Sequence, residues 1–177
     1  MSNIFEKRIA YKPFEYPEVL DFVNPINQTF WVHSEVDFTG DIQDFKVNFS
    51  PIEKSAVKNT LLAIAQVEVA VKSFWGNLYT HLPKPEFNGL GATFAECEFR
   101  HSEAYSRLLD VLGFTEEFEV ALKSDVLQER LAFLNNKNLT AGIDNPQKAF
   151  ALNLVIFSLL VENVSLFSQF ATVLSFT

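Results

Sequence analysis

The stretch Val57–Leu78, VKNTLLAIAQVEVAVKSFWGNL, sets the architecture, because steps of four and three residues along it select Val57, Leu61, Ile64, Glu68, Val71, Trp75 and Leu78. That spacing is one apolar stripe of an α-helix, and its only acid is Glu68, near the middle. Two later stretches repeat the arrangement. One stripe runs Phe94, Glu98, His101, Tyr105, Leu108 and Leu112, and the other runs Leu152, Val155, Leu159, Glu162, Leu166 and Val173. Such stripes face a core, so three carboxylates are expected to point into one interior. An ionised carboxylate is costly there without a partner. Few bases lie nearby in the sequence, and the natural compensating charge is a bound cation.

Composition narrows the classes. With 177 residues, 48% of them hydrophobic and 20% charged, the chain suits one globular domain with a sizeable core, and its 19 phenylalanines favour a thick aromatic interior. A net charge of -8 argues against nucleic acid as a partner, since that binding needs clustered Lys and Arg. Cys97 is the single cysteine, which excludes an internal disulfide framework. With no charged leader and cleavable apolar segment at the N-terminus, a reducing cytoplasm is the expected location. Residues 149–177 are apolar enough to raise a membrane span. Glu162 divides them, however, and Asn153, Asn163 and Gln169 interrupt them, so a core helix is expected and no membrane contact.

The order of elements follows from start and stop signals. Pro13, Pro17 and Pro25 among aromatics and acids predict an extended N-terminal arm over residues 1 to 50, with a helical turn around Ile26–Val32. Ser50-Pro51-Ile52-Glu53 is a capping box with proline at the first helical position and predicts a helix to Tyr79. A second helix is expected over Leu90–Leu112, closed by Gly113. A third is expected over Glu116–Leu134, stopped by Asn-Asn-Lys-Asn, and a fourth opens at Asn145-Pro146. No internal repeat or glycine-rich phosphate loop interrupts this all-α pattern.

Glu98 and His101 lie three residues apart, on one helical face with a rise of about 4.5 Å between them, so both can reach one ion. Bundle proteins holding paired iron or manganese use one glutamate from each of two helices and a Glu-x-x-His from each of two others. Glu68, Glu98, His101 and Glu162 supply four of these six ligands, and a second Glu-x-x-His is missing. Two divalent ions balance four carboxylates better than one ion does. A competing account pairs Glu68 with Lys72, four residues on, as a core salt bridge. Tyr105, one turn past His101, is either an oxidisable phenol beside the metals or aromatic packing, while Cys97 reads as packing.

The segment Glu98-Phe-Arg-His101-Ser-Glu-Ala-Tyr105, with Glu68 before it and Glu162 after it, resembles the small, radical-generating subunit of class I ribonucleotide reductase. Phe30-Trp31-Val32-His33-Ser34-Glu35-Val36-Asp37 is similar to the segment that places a tryptophan near the metals in that family. The resemblance implies a ferritin-like helical bundle in which Trp31 relays an electron, and Leu166 and Phe170 shield the site. Glu68 stands where many members carry aspartate, and Lys72 is an unusual cation one turn later. Lys72 is therefore expected to hydrogen-bond Glu68 or the Tyr105 hydroxyl and to disfavour a lasting tyrosyl radical. This looks like a subclass with two manganese ions oxidised by superoxide; two iron ions are the alternative.

The resemblance also implies a homodimer and a separate large catalytic subunit that reduces ribonucleotides. The apolar pattern runs to Thr177 without a stop signal, so residues 1–177 are expected to be a single domain forming the N-terminal part of a longer subunit. Two rivals stand beside this reading. One is a two-metal oxidase acting on a long apolar substrate; the other is a non-catalytic helical protein with salt-bridged acids.

Overall fold

In the computed structural model, which describes residues 3–134, 140 and 142–176, every regular element is helical and no strand occurs among the described residues. The arm carries α1 (Leu20–Gln28) and α2 (Thr39–Gln43). The long helices α3 (Pro51–Gly76) and α5 (Pro85–Leu112) flank the short α4 (Leu78–His81). Next come α6 (Thr115–Ala121), α7 (Asp125–Leu134) and α8 (Pro146–Ile156). A π-helical segment, Phe157–Leu166, then leads into α9 (Phe167–Leu174).

The start signals act as the sequence predicts. Ser50 Oγ accepts the Glu53 N–H, the Glu53 carboxylate accepts the Ser50 N–H at 2.8 Å, and Pro51 needs no partner for a donor it lacks. Asn145 Oδ1 accepts the N–H groups of Gln147 and Lys148 to open α8. Gly113, at φ +82°, takes the left-handed conformation that closes α5.

Other boundaries differ. The second long helix begins at Pro85 rather than Leu90, because Pro85 itself fills the first helical position. The third divides at residues 122–124, where the Lys123 and Ser124 N–H groups turn back to Val120 and Ala121. The turn placed at Ile26–Val32 is instead the end of α1, which stops at Gln28. The Asn-Asn-Lys-Asn stop lies outside the described residues.

All seven residues of the first stripe are buried, from Val57 to Leu78. α3 and α5 pack antiparallel: Leu61 and Leu109 share a cluster near one end, and Gly91 lies against Trp75 and Leu78 near the other. A Cβ on Gly91 would stand 2.7 Å from the Trp75 carbonyl oxygen, so glycine is what lets the helices approach there. Across α3, Arg130 of α7 donates to the Ala63 carbonyl and to Ser165 Oγ, both at 3.0 Å, tying the π-helical segment to the pair.

The arm is fixed at a polar contact. Glu86, 1% exposed, accepts the N–H groups of Glu15 and Tyr16 at 2.9 and 3.0 Å, and Lys84 Nζ pairs with Glu15 at 2.8 Å. Such charge-assisted bonds offset the burial of the Glu86 carboxylate.

The last helix departs from expectation. Phe157 and Val161 are buried, but Leu152, Val155, Leu159, Leu160, Val164 and Phe167 are exposed. The face carrying these six residues stays exposed among the described residues, while Leu154 and Val173 pack on the core clusters. Pro146–Leu174 is long and apolar enough to cross a membrane by length and composition, with a mean hydropathy of 1.9.

Candidate metal centre

Glu68 reaches the interior from the middle of α3, and α5 presents Glu98 and His101 opposite it. One ligand atom from each of these three side chains lies within 4.8 Å of the others, a spacing suited to a shared ion. His101 Nδ1 and Glu98 Oε2 are 3.0 Å apart. The π-helical segment carries Glu162, which stays outside that 4.8 Å group but near enough for the Glu98 and His101 charges to act on it. Single-turn π distortions recur at functional sites because they shift the register of the side chains that follow.

The electrostatics describe a crowded acidic centre. Burial and the neighbouring Glu98 charge push the Glu68 carboxyl up to about 8. Burial, then Glu98, also raises Glu162. At His101, burial opposes the charged form, but hydrogen bonds to Cys97 and Glu98 and the Glu98 charge outweigh it and lift the imidazole to about 10. Glu68 Oε2 is buried without a hydrogen-bond partner, which is costly for a carboxylate oxygen. A divalent cation among these oxygens and one imidazole nitrogen satisfies that atom and removes the repulsion, so the donor set fits a metal.

A proton-linked prediction follows. Glu68 and His101 both hold protons near pH 7 in the metal-free state and must lose them to ligate. Metal uptake should therefore release protons and tighten as pH rises toward about 8 through Glu68 and about 10 through His101, as calorimetry in buffers of different ionisation enthalpy would record. Both groups titrate higher folded than unfolded. Stability without metal should thus fall as pH rises from 4.5 to about 8 through Glu68 and from 6.5 to about 10 through His101. A metal-free melting temperature that rises across that range would count against this arrangement.

The remaining sequence candidates lie around the group. Trp31 stacks on His101, with ring centroids 6.0 Å apart and planes inclined by 23°. Its carbonyl accepts from Arg100 at 3.1 Å; Arg100 in turn pairs with Glu96 at 2.9 Å and lies over Phe30. Tyr105 packs beside the Leu61–Leu109 cluster, and burial with the Glu68 and Glu98 charges raises its phenol, which keeps the proton on. Lys72 shares with Glu68 and Tyr105 a cleft of about 300 Å³. It makes neither expected hydrogen bond: its Nζ lies 5.3 Å from the Phe99 ring centroid, and no Lys72–Glu68 ion pair forms among the described residues. The ring attracts the ammonium, so the salt-bridge account of Glu68 loses its base.

Two contacts were not legible beforehand. Cys97 Sγ sits 3.6 Å from His101 Nε2, the ring nitrogen facing away from Glu98. Trp75 Nε1 donates to Glu162 Oε1 at 3.3 Å. A buried tryptophan seeks an acceptor for its N–H, and that is the only signal its place in the stripe offered.

The family model of the ribonucleotide reductase small chain matches residues 8–177. The chain belongs to that family. It is 29% identical over 188 residues to a protein of Invertebrate iridescent virus 6 designated a probable ribonucleoside-diphosphate reductase small subunit, covering 98% of this chain and 51% of the viral one. A similarly designated protein of Invertebrate iridescent virus 3 is 26% identical over 99% of this chain and 50% of its own length. A ribonucleoside-diphosphate reductase subunit beta of Treponema pallidum is 26% identical over 67% of this chain and 32% of its own. The chain thus spans about half the length of the viral relatives it matches. The chain's all-helical architecture is that of the family's ferritin-like bundle.

Proposed function

We propose that the protein serves as the small subunit of a class I ribonucleoside-diphosphate reductase, initiating radical chemistry in a separate large subunit. The observation that carries this reading is the convergence of Glu68, Glu98 and His101 within 4.8 Å, in a chain whose family match covers residues 8–177. Glu68, Glu98, His101 and Glu162 are the proposed ligands. A second Glu-x-x-His would come from polypeptide that residues 1–177 do not include, consistent with coverage of about half of each viral relative. We take this segment as one ferritin-like domain within a longer, cytoplasmic, homodimeric subunit that contacts neither membrane nor nucleic acid.

A bound metal pair would supply a one-electron oxidising equivalent. The chain's own residues would insulate and deliver it. Trp31, stacked on His101, relays the electron between the centre and the large subunit. Tyr105 keeps its proton under the influence of burial and its acidic neighbours, and Lys72 adds positive charge to the same cleft. Both effects disfavour a lasting tyrosyl radical and support manganese as the metal, with iron the alternative. Leu166 and Phe170 are proposed to limit water at the Glu162 side. A long apolar substrate finds less support. The roomier apolar cavity, about 550 Å³, is lined by Val57, Leu61, Leu108, Leu112, Val173 and Phe176 among others and includes none of the four ligands.

Loading the full-length protein with Mn(II) and oxidising it with superoxide should give two manganese per chain and a coupled two-manganese paramagnetic spectrum. Less than one ion per chain under manganese or iron loading would refute the reading. A sharp tyrosyl signal with bound iron would overturn the roles of Lys72 and Tyr105.

A further inference from the structure

Trp75 lies outside the ligand set, yet its indole is the only group among the described residues that hydrogen-bonds the Glu162 side chain. Its position is tightly determined. The ring meets Phe94 edge-on at 4.9 Å and Phe74 at 5.1 Å, and Phe157 stands perpendicular to it at 6.1 Å. Its backbone is pressed by α5 at Gly91, where any side chain would collide with the Trp75 carbonyl. The residue is 7% exposed, so water does not compete freely for the N–H. An indole nitrogen donates and never accepts. It can therefore hold one carboxylate oxygen but cannot replace a metal.

We infer that Trp75 is a positioning residue of the metal centre, whose N–H engages Glu162 Oε1 and leaves Oε2 as the oxygen offered to a metal. This rests on the dinuclear reading above. Glu162 sits in a π-helical segment attached to α9, whereas Trp75 sits on α3, about two turns beyond Glu68. The indole thus links the ligand on the last helix to the helix that carries the first. Partners of this kind that orient a ligand change metal affinity by about 10–100-fold when removed.

The test uses Zn(II), a diamagnetic and redox-inert probe, with full-length protein labelled with ¹⁵N-tryptophan. The Trp75 indole cross-peak, assigned as the one that remains in Trp31→Phe, should move when Zn(II) binds and stay still in Glu162→Ala. In Trp75→Phe, two ions should still bind, one of them about 10–100-fold more weakly by calorimetric titration. If that variant does not fold, the cross-peak in the unsubstituted protein decides. An unmoved cross-peak while two ions bind would overturn the inference and leave the dinuclear reading intact. Fewer than two ions in the unsubstituted protein would remove both.

Discussion

Glu98→Ala should abolish the metal pair and let Glu68 ionise at lower pH in the metal-free protein. Glu98 contacts His101 at 3.0 Å, and its charge is the leading electrostatic cause of the upward displacement at both Glu68 and Glu162. Without it, like-charge repulsion among the buried acids falls, and Glu68 ionises closer to the ordinary carboxylate range. That relief belongs to the empty centre alone. In the loaded centre the same carboxylate is a proposed ligand, and its loss should weaken binding by roughly 100-fold or more, beyond the 10–100-fold typical of groups that only orient ligands. Elemental analysis and melting curves recorded with and without metal check the loss: the metal-induced increase in melting temperature should disappear. Retention of two ions per chain would remove Glu98 from the ligand set.

Trp31→Phe should leave metal binding intact and stop turnover with the large subunit. Phenylalanine preserves a ring against His101 and keeps the backbone carbonyl that Arg100 holds, so the centre should load normally. A phenyl ring is much harder to oxidise than an indole. The relay would lose its carrier, and nucleotide reduction should fall by roughly 1,000-fold, equivalent to about 4 kcal/mol in barrier height. The decisive comparison is single-turnover reduction against metal content in one preparation. Near-normal turnover would show that the electron takes a path that avoids this stack.

Much of this arrangement was legible because helical period and burial agree along α3. Every stripe position from Val57 to Leu78 is buried, and the acid interrupting that stripe meets the Glu-x-x-His of α5. What escaped detection has local physical causes. The π-helical register around Glu162 leaves no distinct mark in a sequence that also fits an α-helix, and Trp75 looks like any apolar stripe residue until its N–H finds Glu162. The Lys72 contact was not legible because spacing alone cannot tell a carboxylate partner from an aromatic face such as Phe99. The apolar sides of α8 and α9 read as core, yet stripe analysis cannot say whether the covering surface lies within the same residues.

The Arg100 clamp has a consequence for electron tunnelling. Trp31 is pinned by its own carbonyl to α5, the helix that also carries His101 one residue further along. In the relay proposed for Trp31, the indole and the histidine it stacks on would therefore share one anchoring helix. Because tunnelling rates decay steeply with gap width, such shared anchorage would hold the proposed hop to one narrow range of distances.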